Sequence, residues 1–165
     1  MYKFRVSLKQ QLLVLSTFLI IDGGAAIAYL YFFGFHLPYP IFLLPISILF
    51  LFTILPVLIL HIQYYRVNKN CELVIDKRNR NLFYKSDEYD VNAQFNDIDS
   101  IHFYGSFVGN SGMYTFSAYR YFKIFLKDGR KLIVTSLMMY DINNQLPQLL
   151  SRDVANHYGL LATIK

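Results

Sequence analysis

The sequence predicts a membrane α + β chain: a two-helix transmembrane hairpin, then an antiparallel β-meander or partly open barrel capped by a C-terminal helix. Three observations predict it. Residues 12–33 and 41–62 are long apolar runs without Lys, Arg or Glu, separated only by residues 34–40. From Asn70 onward, short β-prone runs alternate with polar turns. Near the end, Leu146, Leu149, Leu150 and Val154 form an apolar stripe at helical spacing, with Ser151, Arg152, Asp153 and Asn156 on the other face.

About 20 apolar residues at about 1.5 Å each cross a hydrocarbon core of ~30 Å. Helices are therefore expected over about 12–33 and 41–62, inside a hairpin at 11–65. Residues 1–10 read as a basic leader and residues 70–165 as a separate small domain. Lys3, Arg5 and Lys9 precede the first run, and Arg66, Lys69, Lys77, Arg78, Arg80 and Lys85 follow the second. Residues 34–40 carry neither Lys nor Arg. The positive-inside rule places both termini in the cytoplasm and the turn outside. Tyr29, Tyr31, Tyr39, Tyr64 and Tyr65 fall where interfacial aromatic belts occur. The first run is too long for a signal peptide and lacks a small-x-small cleavage site.

Within the first run, Asp22 is followed by Gly23, Gly24, Ala25 and Ala26. An ionised carboxylate at that depth costs about 2.5–3.5 kcal/mol on insertion scales. Asp22 is thus expected to be protonated, paired or facing protein. In an antiparallel hairpin Thr53 and Pro56 reach a similar depth, and Pro56 leaves the Phe52 carbonyl without its helical donor. Asp22 would then donate to Thr53 or to that carbonyl. The alternative is a partner membrane helix packed on the small residues. A proton path is the weakest reading, because no second charge lies at depth.

The domain begins with a hairpin. Cys71 to Asp76 and Asn81 to Lys85 are strand-like and flank Lys77-Arg78-Asn79-Arg80. Residues 91–95 and 98–107 suggest further strands, and residues 105–112 form a Gly-rich break carrying Phe107 and Val108. Asp128-Gly129, between an aromatic run and residues 130–136, predicts a hairpin of type I′. Pro147 suits a helical first turn, and Gly159 a helix stop.

The chemistry-bearing residues form no site. The lone Cys71 excludes an internal disulfide and a multi-cysteine metal cluster. His36, His61, His102 and His157 lack metal-ligand spacing, so neither metal nor cofactor is expected. No nucleophile elbow, phosphate loop or dinucleotide fingerprint is present, and no catalytic residue is assigned. Asp97 and Asp99 read as capping residues at a strand start. The net charge of +5 sits largely beside the apolar runs, which argues against nucleic acid as a partner.

The first hairpin at 71–85, residues 95–101 before a strand, the hairpin around Asp128-Gly129 and the helix from Leu146 together carry a resemblance. The chain resembles bacterial inner-membrane proteins in which a two-helix transmembrane hairpin carries a cytoplasmic pleckstrin-homology-like (PH-like) domain. The resemblance is one of architecture. It implies headgroup, peptide or protein binding, since fold alone does not fix function. It also implies that the first strand–strand loop, taken as Lys77, Arg78 and Arg80, is a candidate for anionic headgroups, against a solvated turn. Phe107 and Val108 are candidate partner-binding residues. The expected function is a non-enzymatic accessory or regulatory subunit, with membrane lipids and another membrane protein or a second copy as partners. Two alternatives stay open: an anionic-lipid-binding or membrane-organising module, and an immunity protein against a membrane-acting toxin.

Overall fold

The computed structural model describes residues 1–33, 44–45, 47–48, 50–106, 118–159 and 162–164, without the side chains of residues 17, 19, 21, 22 and 50. The chain opens with a strand. β1 (Tyr2–Arg5) pairs antiparallel with β2 (Glu72–Asp76), setting Tyr2 against Ile75 and Arg5 against Glu72. Within the basic leader, Tyr2–Arg5 is thus the edge strand of the first sheet. Phe4 and Val6 pack on the domain core, and Lys3 pairs with Glu72 at 2.8 Å. The alternation of Tyr2, Phe4 and Val6 with charged neighbours is the period-2 pattern of a half-buried strand.

Between β1 and β2 the described residues include two helices. Helix α1 (Leu8–Phe33) starts at Ser7, whose hydroxyl accepts from the Gln10 N–H at 3.3 Å. Helix α2 (Leu55–Asn68) outlasts the apolar run and ends at Lys69. It follows a π-helical turn at Phe50–Ile54, just before Pro56. A proline cannot donate to the carbonyl four residues back, and a widened turn is one way a helix absorbs that loss. Among the described residues no helix is long and apolar enough to cross a membrane. The fold alone thus does not show the expected hairpin.

The remaining strands build two sheets. β3 (Asn81–Lys85) and β4 (Asp90–Gln94) extend β1–β2 into an antiparallel sheet of order β1-β2-β3-β4. β5 (Ile98–Ser106), β6 (Tyr121–Leu126) and β7 (Lys131–Thr135) form an antiparallel second sheet. Inward side chains of both sheets, including Leu73, Ile75, Leu82, Val91, Ile101, Phe122, Ile124 and Leu132, share one core. Helix α3 (Ile142–Leu150) covers it with Ile142, Leu146 and Leu150. Gly105 leaves room for the Phe103 ring, which a Cβ would meet at 2.8 Å.

Three local expectations change. The Asp128-Gly129 hairpin is present, but only Gly129 has positive φ, at 88°. The Gly129 N–H donates to Leu126 O and the Leu126 N–H to Arg130 O, so this is a three-residue loop with its glycine at the left-handed position. Gly129→Ala is expected to cost about 1–2 kcal/mol in chemical denaturation, the price of left-handed backbone for an L-residue. Pro147 lies inside α3, not in its first turn, because the helix starts five residues earlier at Ile142. The helix also stops before Gly159: Ser151 takes the left-handed conformation (φ 51°) and ends it. The chain then forms β8 (Ala155–Gly159), parallel to β5, giving the order β7-β6-β5-β8.

Candidate interaction surfaces

β6 is a shared wall. Phe122, Ile124 and Leu126 face the barrel core, while Tyr121 faces the helices. Val57, Leu60, Tyr64 and Asn68, three or four residues apart, are the buried stripe of α2. Val57, Leu60 and Tyr64 meet Val14 of α1, Tyr119, Tyr121 and Leu137 in a second core. Tyr64 contacts the rings of Tyr119 and Tyr121 edge-on, at 5.4 and 6.0 Å. The His61 ring lies between Tyr119 Oη (3.2 Å) and Gln11 Oε1 (3.3 Å), tying α1, α2 and the domain together. Deeper still, the Asn68 amide donates to Ile133 O at 2.9 Å, and the Tyr84 hydroxyl lies 3.2 Å from both Ile133 O and Cys71 Sγ. Burial pushes the Tyr84 and Tyr119 hydroxyls far up and Tyr121 to about 12, so all three stay neutral donors near neutral pH.

The C-terminal segment lies against this junction. Tyr64 Oη donates to Ala162 O at 2.7 Å, Gln63 Nε2 to Ile164 O at 2.7 Å and Tyr121 Oη to Thr163 O at 3.1 Å. Ala162 itself is buried in the second core.

The outward faces of the helices carry large apolar side chains with nothing over them among the described residues. Ile20 is 73% exposed, Ile27 69%, Tyr31 77% and Phe52 71%, with Leu51, Ile59 and Ile62 at least half exposed. An added Cβ at Gly23 or Gly24 would meet nothing within 4 Å. Thr53 sits half-buried in the π-helical turn; the side chain of Asp22 lies outside the described residues, as do Phe107 and Val108.

The basic residues split between opposite ends of β2. Arg5, Ser7, Lys69, Asn70, Glu72 and Lys85 line a hollow of about 490 Å³ at the base of the helices. Lys77 and Arg78 lie at the far end, about 13 Å away along the strand. With β1 paired to β2, this turn joins β2 to β3 and is not the first strand–strand connection in the chain. The turn is also internally tied. Asp76 accepts from the N–H groups of Arg78 and Asn79 and from the Asn79 amide, which holds its carboxyl below the usual range. The Arg80 guanidinium lies 5.9 Å from the centre of the Phe95 ring. Asp97 caps, as expected, by accepting from the Gln94 N–H at 2.8 Å.

One cluster escaped sequence reasoning. β8 brings His157 Nε2 within 2.8 Å of His102 Nδ1, and His157 stacks on Tyr104, which stacks on Tyr121. In that contact one ring nitrogen donates and the other accepts. The two histidines are 55 residues apart, and only the parallel β5–β8 pairing joins them.

Two four-stranded sheets closed by a C-terminal helix fit a PH-like plan, and the comparison with protein families agrees. A family model described as a PH domain matches residues 1–143, spanning β1, both helices and the strands through β7. No curated protein and no solved structure matches the chain.

Proposed function

Since the chain belongs to the PH-domain family, we propose that it is a membrane-anchored, non-catalytic PH module that binds another protein as an accessory or regulatory subunit. The outward apolar faces of the helices carry the reading. Moving one such side chain from water to hydrocarbon gains roughly 1.5–3 kcal/mol. Ile20, Ile27, Phe32, Leu51, Phe52 and Ile59 alone therefore favour a bilayer by roughly 10 kcal/mol. Helix α1, at 26 residues, is about 39 Å long, enough to dock at its base and continue into lipid. The pairing of β1 with β2 keeps both helix bases on one side, and under the positive-inside rule the cations there favour the cytoplasm for that side. Membranes washed with alkaline carbonate should retain the protein, and full release into the wash would sink the anchoring. Pull-down from native membranes in mild detergent should then yield one stoichiometric protein partner. A membrane-acting toxin as that partner would select the neutraliser.

A second reading, anionic-lipid contact, is favoured by the hollow at the helix base. Three cations near an anionic surface contribute about 1 kcal/mol each. Replacing Arg5, Lys69 and Lys85 by Glu should weaken retention on immobilised anionic phospholipid by roughly 100-fold or more. The same replacement at Lys77, Arg78 and Arg80 should change it less than about twofold, because salt screens charges beyond ~10 Å. The reverse pattern would return the headgroup site to the turn.

A further inference from the structure

We propose that the cleft between α2 and the second sheet is a peptide-binding groove, held shut by residues 162–164 and opened by an extended segment of the protein partner. The inference rests on the protein-binding reading above and names the surface and the occupant. Three side-chain donors, Gln63 Nε2, Tyr64 Oη and Tyr121 Oη, converge on three successive main-chain carbonyls, at 2.7, 2.7 and 3.1 Å. This is recognition of backbone, so the groove accepts extended chain with little regard to sequence. The exception is the position of Ala162, which is 5% exposed and sits in the second core with Tyr64, Tyr119 and Leu137. Only a small side chain fits there.

The second observation is a half-filled amide. Gln63 Oε1 is buried and has no hydrogen-bond partner among the described residues, although Nε2 of the same amide donates to Ile164 O. A residue in a β-ladder presents its N–H and its C=O on the same side, so a well-seated strand fills both halves of such an amide. Among the described residues the chain's own segment fills one. A buried acceptor left unpaired weakens that seat, and a partner strand supplying the missing N–H competes from an advantage. Its chemistry is set by the groove: extended, with a small residue where Ala162 lies and apolar or uncharged residues around it. The tail is tethered, which gives it a millimolar-range local concentration and keeps the groove closed against weak competitors.

The test uses the full chain in detergent and a fluorescent synthetic peptide with the sequence of residues 155–165. Ala162→Arg places a charge in the second core and should expel the tail, and Ile164→Asp does so with less disruption. Either variant, with wild-type near-ultraviolet circular dichroism, should bind the peptide at least tenfold more tightly than wild type. Adding Tyr64→Phe should lower that affinity severalfold, and a peptide with Arg at the Ala162 position should not bind. Failure of both folded tail variants to bind, or binding indifferent to Tyr64→Phe, overturns the groove. A wild-type dimer crosslinked through exchanged tails overturns the partner segment in favour of a second copy. None of these readouts needs a membrane, so release in the alkaline wash would remove the anchor and leave the groove standing.

Discussion

Ile27→Lys or Phe52→Lys is expected to weaken membrane retention by roughly 100- to 1,000-fold, whereas Leu8→Lys leaves it intact. The three side chains are similarly exposed, at 69%, 71% and 72%. What separates them is depth. Leu8 is the first residue of α1, beside β1 and the basic hollow, while Ile27 and Phe52 lie far along the helices. A lysine near the bilayer centre costs about 2.5–3.5 kcal/mol, and the lost apolar residue adds about 0.3–0.6. The sum, about 3–4 kcal/mol, corresponds to roughly 100- to 1,000-fold in the insertion equilibrium. At Leu8 the ammonium stays in water or reaches headgroups, and the substitution costs only helix surface. The measurement is the fraction of each variant that resists alkaline extraction. Equal retention of all three would mean that the exposed faces meet protein or water, and the anchor would fall with it.

What the sequence revealed of the fold was local. The β2–β3 and β6–β7 hairpins stood out because strand, turn and strand are contiguous, and because Asp76 and the Asp128-Gly129 pair have short-range turn chemistry. β1 was hidden by distance. Its partner lies beyond both helices in sequence, and its cations already had an explanation as the positive flank of a membrane run. Leaving β1 out of the strand count made the loop carrying Lys77, Arg78 and Arg80 the first strand–strand connection, although β1 pairs with β2 ahead of it. β8 was hidden by composition: Ala155-Asn156-His157-Tyr158-Gly159 has no β-branched residue, and the helix stop is a serine at positive φ, not the usual glycine. The candidate groove was not legible at all. Its donors are on α2 and β6, its occupant is the C-terminal segment, and only folding joins them.

Phe122→Ala should destabilise the domain by about 3–5 kcal/mol, the usual cost of emptying an aromatic core position. Phe122 is 1% exposed, lies opposite Phe103 and Val134 in register, and touches the Phe103 ring with centroids 5.2 Å apart. Its neighbour Tyr121 points the other way, into the junction with the helices. The two positions should therefore separate barrel from junction. Removing only the Tyr121 hydroxyl, by Tyr121→Phe, deletes one hydrogen bond to Thr163 O and should cost about 0.5–1.5 kcal/mol. Its main effect should be local: faster proteolysis of the C-terminal segment, with the denaturation midpoint nearly kept. Phe122→Ala should lower the midpoint for the whole domain, because the residue belongs to the core that both sheets and α3 share. A loss of 3–5 kcal/mol is a large part of the 5–15 kcal/mol typical of a folded domain. If Phe122→Ala instead costs under about 1 kcal/mol while Tyr121→Phe unfolds the chain, the helix junction is the true core, and the barrel is stable only as an attachment to it.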